Sequence, residues 1–220
     1  MYHFVKRLID LFIAAVTLIV SFPFMLIIVI LLKITGEGEI FYFQKRIGYK
    51  NQYFDIWKFA TMLKNSMNMG SGSITVRDDP RVTSVGKFLR KTKLNEFPQV
   101  INVLKGDLSI VGPRPLVDRT FNAYPDELRD LVYNVKPGIT GLGSLVFRDE
   151  ETLISNATED PHVFYENTIA PYKGLLEMWY QKNASIWTDS KIIFATAWVI
   201  LRPNSDIVRR WFKGVPERTF

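Results

Sequence analysis

The chain has 220 residues, 47% of them hydrophobic, and a formal net charge of +6. That length holds one ordinary domain plus an anchor, and the charge favours anionic partners: nucleic acid, anionic lipid or phosphorylated substrate. With no cysteine, and with His3 and His162 as its only histidines, the sequence excludes disulfides, a thiolate nucleophile and a cysteine- or histidine-rich metal centre.

From Leu8 to Leu32 the sequence reads LIDLFIAAVTLIVSFPFMLIIVILL, with Asp10 its only charge. That length predicts a membrane helix. No small-residue cleavage site follows it, and the run is too long for a signal peptide. Pro23 removes a backbone donor near the centre, so a kink is expected there, with Ser21 placed to cap a freed carbonyl. Lys6 and Arg7 precede the segment, and Lys33, Lys45, Arg46, Lys50 and Lys58 follow it. Basic flanks on both sides favour a helix–break–helix that enters and leaves by one leaflet.

Ile40–Gln44 and Tyr53–Trp57 read as two strands joined by a turn over Gly48–Asn51. Met62–Ser73 is polar and glycine-containing and reads as a loop. Asp78-Asp79-Pro80 is expected to open a short helix reaching Arg90, and a second helix is expected from about Asn95 to Lys105, stopped by Gly106. Pro125–Tyr133 reads as helical, as do about Pro171–Asn183 and Ile186–Leu201. The last carries Trp187, Ile192, Ile193, Phe194 and Trp198, which suits core packing or the membrane interface.

Three clusters carry chemistry. The first, Lys91 to Gln99, contains Asn95-Glu96 at the expected helix start. A carboxylate or a phosphate is favoured at such a place, with a divalent ion able to mediate between them. Asn95 is equally a good N-cap. The second, Lys105 to Pro115, ends in Gly112-Pro113-Arg114-Pro115. There glycine permits close backbone approach and Arg114 suits a bidentate phosphate contact. The third is Lys136-Pro137-Gly138-Ile139-Thr140-Gly141-Leu142-Gly143, a tight loop able to approach phosphate, followed by Arg148-Asp149-Glu150-Glu151. These acids could supply a carboxylate, although a solvated acidic loop is the plainer reading.

Together the clusters resemble the monotopic phosphoglycosyl transferases, a bacterial sugar transferase family. The resemblance runs through Lys6-Arg7-x-x-Asp10, Phe43-Gln44-x-Arg46-x-Gly48, Lys58-Phe59-x-Thr61-Met62, Asn95-Glu96-x-Pro98-Gln99, Asn102-Val103-Leu104-Lys105-Gly106-Asp107-x-Ser109 and Gly112-Pro113-Arg114-Pro115 to Lys136-Pro137 and Gly141. It implies an α+β, helix-rich fold, with a re-entrant anchor over residues 1–35 bent at Pro23. Residues 36–220 would form a compact cytoplasmic catalytic domain with a small β-hairpin, including the C-terminal helices. It also implies attachment to the cytoplasmic face of the bacterial inner membrane, Mg2+, and transfer of a sugar-1-phosphate from a UDP-sugar to undecaprenyl phosphate. Glu96 would hold the metal, and Lys58, Arg90 and the Gly112–Pro115 loop would bind phosphates.

One departure matters. In the family an aspartate attacks the donor's β-phosphate, and here that position is Asn95, a neutral amide and a very poor nucleophile. Ala60 and the Gly143–Glu151 run also differ from the common pattern, which favours a natural branch. The alternatives are attack by Glu96, direct transfer, an engineered substitution, or an inactive scaffold binding lipid or nucleotide sugar. No nucleic-acid motif accompanies the charge, so no nucleic-acid partner is expected. A homodimer through the helical C-terminal half is left open.

Overall fold

A computed structural model describes residues 1–35, 37–66, 79–203 and 205–220. Most of the expected loop over Met62–Ser73, from residue 67 onward, lies outside the described residues, as does Asp78.

The N-terminal segment forms α1 (Tyr2–Ile34), one helix with Pro23 inside it, so the expected interruption does not divide the element. Ser21 is corrected as well. Its hydroxyl donates to the carbonyls of Thr17 at 2.6 Å and Leu18 at 3.4 Å. A helical hydroxyl reaches carbonyls three and four residues back, whereas proline at 23 strands the carbonyl of Ile19. Among the described residues this is the one helix long and apolar enough to cross a membrane. Its buried face, Asp10, Ala14, Ile28 and Leu32, recurs at helical spacing. Elsewhere Phe12, Ile19, Val20, Phe22, Phe24 and Ile27 stand more than half exposed, an apolar surface of the kind that hydrocarbon covers.

Both ends of α1 rest on the rest of the chain. Ala14 packs with Ile56, Val100, Val103 and Leu108, while Ile28 and Leu32 pack with Phe59 and Leu89. Polar contacts fix the N-terminal end. Arg7 donates to the Val103 and Leu104 carbonyls at 2.7 and 3.0 Å, and Lys6 pairs with Asp189 at 2.9 Å. Asp10, buried in an otherwise apolar helix, accepts from the Ser109 hydroxyl at 2.8 Å and the Ile110 amide at 3.0 Å.

The hairpin forms as expected, in longer strands. β1 (Phe41–Ile47) pairs antiparallel with β2 (Tyr53–Phe59), with Gln44 opposite Ile56 and Tyr42 opposite Lys58. Side chains alternate between faces, so Gln44, Arg46 and Lys58 share one face. Lys50 and Asn51 take left-handed φ values of 54° and 57° to close the turn.

α2 (Ser84–Lys91) opens later than Asp78–Pro80 because Thr83 caps it, accepting from the Gly86 amide at 3.0 Å. Asp79 is buried in an ion pair with Arg81 at 2.6 Å instead. α3 (Gln99–Lys105) stops at Gly106, whose φ of 95° suits glycine. Asn102 of this helix, fully buried, ties it to β2: it accepts from the Trp57 amide at 2.9 Å and donates to the Asp55 carbonyl at 2.8 Å.

A second, unforeseen sheet pairs β3 (Ser109–Val111) in parallel with β4 (Gly138–Thr140). The main core gathers α4 (Asp118–Asn122), α5 (Asp126–Val132), α6 (Leu142–Val146), α7 (Glu150–Asn156) and α8 (Pro161–Phe164) with three longer or later helices. These are α9 (Ala170–Lys182), which a π-turn over Tyr165–Ile169 leads into, α10 (Ile186–Leu201) and α11 (Ile207–Trp211). α10 is two-faced: Ile192, Ala195 and Val199 enter the core, while Trp187 and Phe194 are 71% and 69% exposed.

Candidate functional site

The Asn95-Glu96 pair sits where the backbone turns sharply. Lys93, left-handed at φ 60°, ends the run from α2 and starts a 3-10 turn over Leu94–Glu96. α3 begins only at Gln99, so Asn95 is not its N-cap, and Glu96 lies outside its first turn. The physical reason is Pro98, which sits at the start of α3 rather than inside it. Relieved of capping, the Asn95 side-chain oxygen is buried with no hydrogen-bond partner. Buried acceptors are rarely left so.

Beside it lies a knot of charge. Arg114 donates to Glu96 Oε1 at 3.1 Å. Arg46 donates to Gln44 Oε1 at 2.7 Å and to the Pro115 carbonyl at 3.2 Å, while its Nε is buried and unpartnered. Lys58 approaches the same Gln44 oxygen at 3.5 Å. Burial, and after it the neighbouring Arg46, brings Lys58 down to about 8, against the pull of Glu96; Arg114 and Arg90 act in the same direction as Arg46. Burial and Arg114 likewise bring Arg46 down to about 10. For Glu96, burial alone would raise the carboxyl, but Arg114, Lys58 and Lys93 outweigh it and hold the group below its ordinary value. An excess of positive charge around one carboxylate is an arrangement able to attract phosphate.

The structure therefore brings Lys58, Arg90, Asn95, Glu96 and Arg114 into one neighbourhood. Arg46 and Gln44 join them; the sequence placed both in the stretch that carries the family resemblance but gave them no part in the site, and their alternation in β1, beside a basic residue of β2, was the further signal. Gly112 has a packing part as well. A Cβ there would lie 2.2 Å from the Lys136 carbonyl oxygen, and one on Gly138 or Gly141 would collide with the Gly112 backbone. These glycines seat β3 against β4, so the third cluster has a packing part of its own. Pro113 and Pro115 hold the corner through their carbonyls, Pro113 accepting from the Gly138 amide at 2.8 Å and Pro115 from Arg46. Tyr133 completes it, donating its hydroxyl to the Arg114 carbonyl at 2.8 Å and accepting from the Leu116 amide at 2.9 Å.

Arg114 also lines a cavity of about 1240 Å³, together with Lys93, Ser144, Phe147, Lys173 and Glu177 among others. Of the acids after Arg148, Asp149 is exposed and Glu150 half-buried, and both are paired. Glu150 pairs with Lys173 at 2.7 Å and Asp149 with Arg218 at 2.8 Å, because the C-terminal arm and α9 present cations to them; the Glu151 side chain lies outside the described set.

No group of three or more His, Asp or Glu ligands occurs among the described residues. Magnesium needs no such cage, since it keeps waters and takes substrate phosphate oxygens with one or two protein oxygens. The Glu96 carboxylate and the unpartnered Asn95 oxygen fit that donor set.

Comparison with known proteins gives a consistent picture. The profile described as "Bacterial sugar transferase" matches residues 1–203. An undecaprenyl-phosphate galactose phosphotransferase of Salmonella typhimurium is 34% identical over 91% of this chain and 41% of its own length. An Aeromonas hydrophila protein named UDP-N-acetylgalactosamine-undecaprenyl-phosphate N-acetylgalactosaminephosphotransferase is 36% identical over 91% of this chain and 44% of its own. The exopolysaccharide production protein ExoY of Sinorhizobium fredii is 33% identical over 87% of this chain and 83% of its own. The chain thus spans less than half of the first two relatives and most of the third.

Proposed function

Since the chain belongs to the bacterial sugar transferase family, we propose that it transfers a sugar-1-phosphate from a UDP-sugar to undecaprenyl phosphate. The products are undecaprenyl-diphosphate-sugar and UMP. The observation that carries this reading is the Glu96–Arg114 pair ringed by Lys58 and Arg46 at the cavity's edge. Such a cluster binds the donor's diphosphate and neutralises the charge that grows on UMP as it leaves.

The reacting centre is the β-phosphorus, and the bond broken joins it to the oxygen retained by UMP. Asn95 is no nucleophile, so we assign direct attack to an oxygen of the lipid phosphate, with Asn95 holding the donor in place. Glu96 and the Asn95 oxygen would hold magnesium, which when bound with the donor adds positive charge beside the transferring phosphoryl group. Arg114, clamped to Glu96, faces the phosphates, and Lys58 supplies a second, pH-sensitive cation.

Residues 1–35 act as the membrane anchor on the cytoplasmic face of the inner membrane, and residues 36–220 as the catalytic domain. The contacts made by both ends of α1 support a helix that returns to the face it entered. Lipid phosphate arriving at that surface then meets the site without leaving the membrane.

The deciding experiment measures UMP release from a panel of UDP-sugars, with magnesium and with or without undecaprenyl phosphate. Release only with lipid, and its loss in Glu96→Gln, is the expected result. Full activity in Glu96→Gln would remove this site assignment. A lipid-independent burst matching the enzyme concentration would replace direct attack by a carboxylate nucleophile. Silence with every sugar, persisting in Asn95→Asp, would leave a scaffold in place of an enzyme.

A further inference from the structure

The cavity reaches groups that phosphate binding does not use. Lys173 and Glu177 lie four residues apart on α9, so one face of the helix presents both, and both line the cavity. Lys173 is fully engaged: its ammonium pairs with Glu150 at 2.7 Å and sits over the rings of Phe147 at 5.1 Å and Tyr165 at 5.3 Å. Glu177 is not. Its side chain is 4% exposed, and its Oε2 is buried without a hydrogen-bond partner.

The surroundings leave room for this carboxyl and give it nothing to bind. A Cβ on Gly143 would lie 2.5 Å from Glu177 Oε1, so the carboxyl occupies space that only a glycine leaves open. Burial pushes Glu177 up to about 8, with Lys173 offsetting only part of the rise. Near neutral pH the group is therefore mostly a neutral acid, able to donate one hydrogen bond and accept others. A buried polar group without a partner is destabilising. Its retention at the wall of a large cavity calls for a ligand that completes it.

The chemistry of that ligand follows. A neutral acid offering both donor and acceptor suits adjacent hydroxyls, not an anion. Arg114 is half-exposed and Glu177 is buried, so the cavity carries an open cation at Arg114 and, deeper, an unpartnered acid beside the Lys173–Glu150 ion pair. Phe147, whose ring lies under the Lys173 ammonium, adds an apolar surface to the lining. A nucleotide sugar has the same polarity along its length once its diphosphate sits at Arg114. We propose that Glu177 binds the hydroxyls of the donor's sugar at the inner end of this cavity and selects which sugar is accepted. The assignment rests on reading the cavity as a nucleotide-sugar site.

The test compares the full-length protein with Glu177→Gln and Glu177→Met in detergent with magnesium. Binding of UMP, UDP-galactose, UDP-glucose and UDP-N-acetylgalactosamine is measured by calorimetry, alongside UMP release and melting temperature. In Glu177→Met the preferred UDP-sugar should lose tenfold or more in affinity and in kcat/KM while UMP affinity stays within twofold. Its melting temperature should not fall, since an unpaired buried acid has been replaced by an apolar side chain of similar size. Glu177→Gln keeps a donor and an acceptor, so it should reorder the three sugars with a smaller loss.

The proposal is overturned if both variants hold UDP-sugar affinity within twofold, if UMP and UDP-sugars weaken together, or if both variants melt lower. It is overturned too if the wild type binds no UDP-sugar more tightly than UMP. Glu177-dependent sugar binding without lipid-dependent UMP release would keep the subsite and discard the transfer reaction.

Discussion

At position 58 a lysine holds a proton less firmly than a surface lysine would, because burial and Arg46 both disfavour its charge. The sign of the consequence is fixed. Below about 8 the ammonium is present to meet phosphate, and as pH rises through that value the charge is lost. The kcat/KM for the nucleotide sugar should therefore fall as pH rises through about 8. A contact to a charged group contributes about 1.5–3 kcal/mol, so Lys58→Ala should lower kcat/KM by roughly ten- to a hundredfold near pH 7. Lys58→Arg keeps its charge throughout this range, so its profile should lose the bend. A wild-type profile that is flat from pH 7 to 9 would take Lys58 out of donor binding. Position 95 shows a complementary limit of the sequence. Asparagine there reads equally as a cap or as a polar contact, and only the turn at Lys93 and the late start of α3 remove the capping role.

Elements with a long period were legible. α9 and α10 lie within a residue or two of their expected bounds because each carries several turns of pattern. The hairpin was legible from alternation and a turn. α6, α7 and α8 were not, since helices of 4–7 residues complete at most two turns. The parallel β3–β4 pair joins three-residue strands far apart in sequence, and no local signal announces it. Much of the site was legible by residue type, in Lys58, Arg90, Asn95, Glu96 and Arg114. The part of Arg46 and Gln44 in it was not, because only the folded hairpin sets them beside Lys58, and nothing local sets Glu177 apart from other helical acids. The pairing of β3 with β4 makes its own prediction. In Gly112→Ala the new methyl would press on the Lys136 carbonyl at 2.2 Å. Overpacking of this kind costs about 1–3 kcal/mol, or roughly 3–10 °C in melting temperature for a chain of this size. An unchanged melting temperature would show that the strands can part without loss.

Across the whole molecule, α1 decides how the site meets the membrane. A helix that crossed the bilayer once would leave its two ends on opposite sides, yet here Arg7 and Asp10 near one end and Ile28 and Leu32 near the other all touch the same body of the chain. The basic residues that read as topology signals are partly spent in this docking: Lys6 on Asp189, and Arg7 on the carbonyls that end α3. Charge and packing thus favour the same side for both ends. The absence of cysteine makes the point measurable, because any single introduced thiol is the only one to react. His3→Cys and Lys33→Cys place exposed thiols near the two ends of α1. In sealed right-side-out vesicles, a membrane-impermeant maleimide should label neither, and in inverted vesicles it should label both. Labelling of one thiol in each orientation would mean that α1 spans the bilayer. The docking of one end would then have to open in the membrane, and Asp10→Ala, which removes the acceptor of the Ser109 and Ile110 contacts, should leave the labelling pattern unchanged. If both ends share a face, the same substitution should loosen the N-terminal end, raising the His3→Cys labelling rate while the Lys33→Cys rate stays constant.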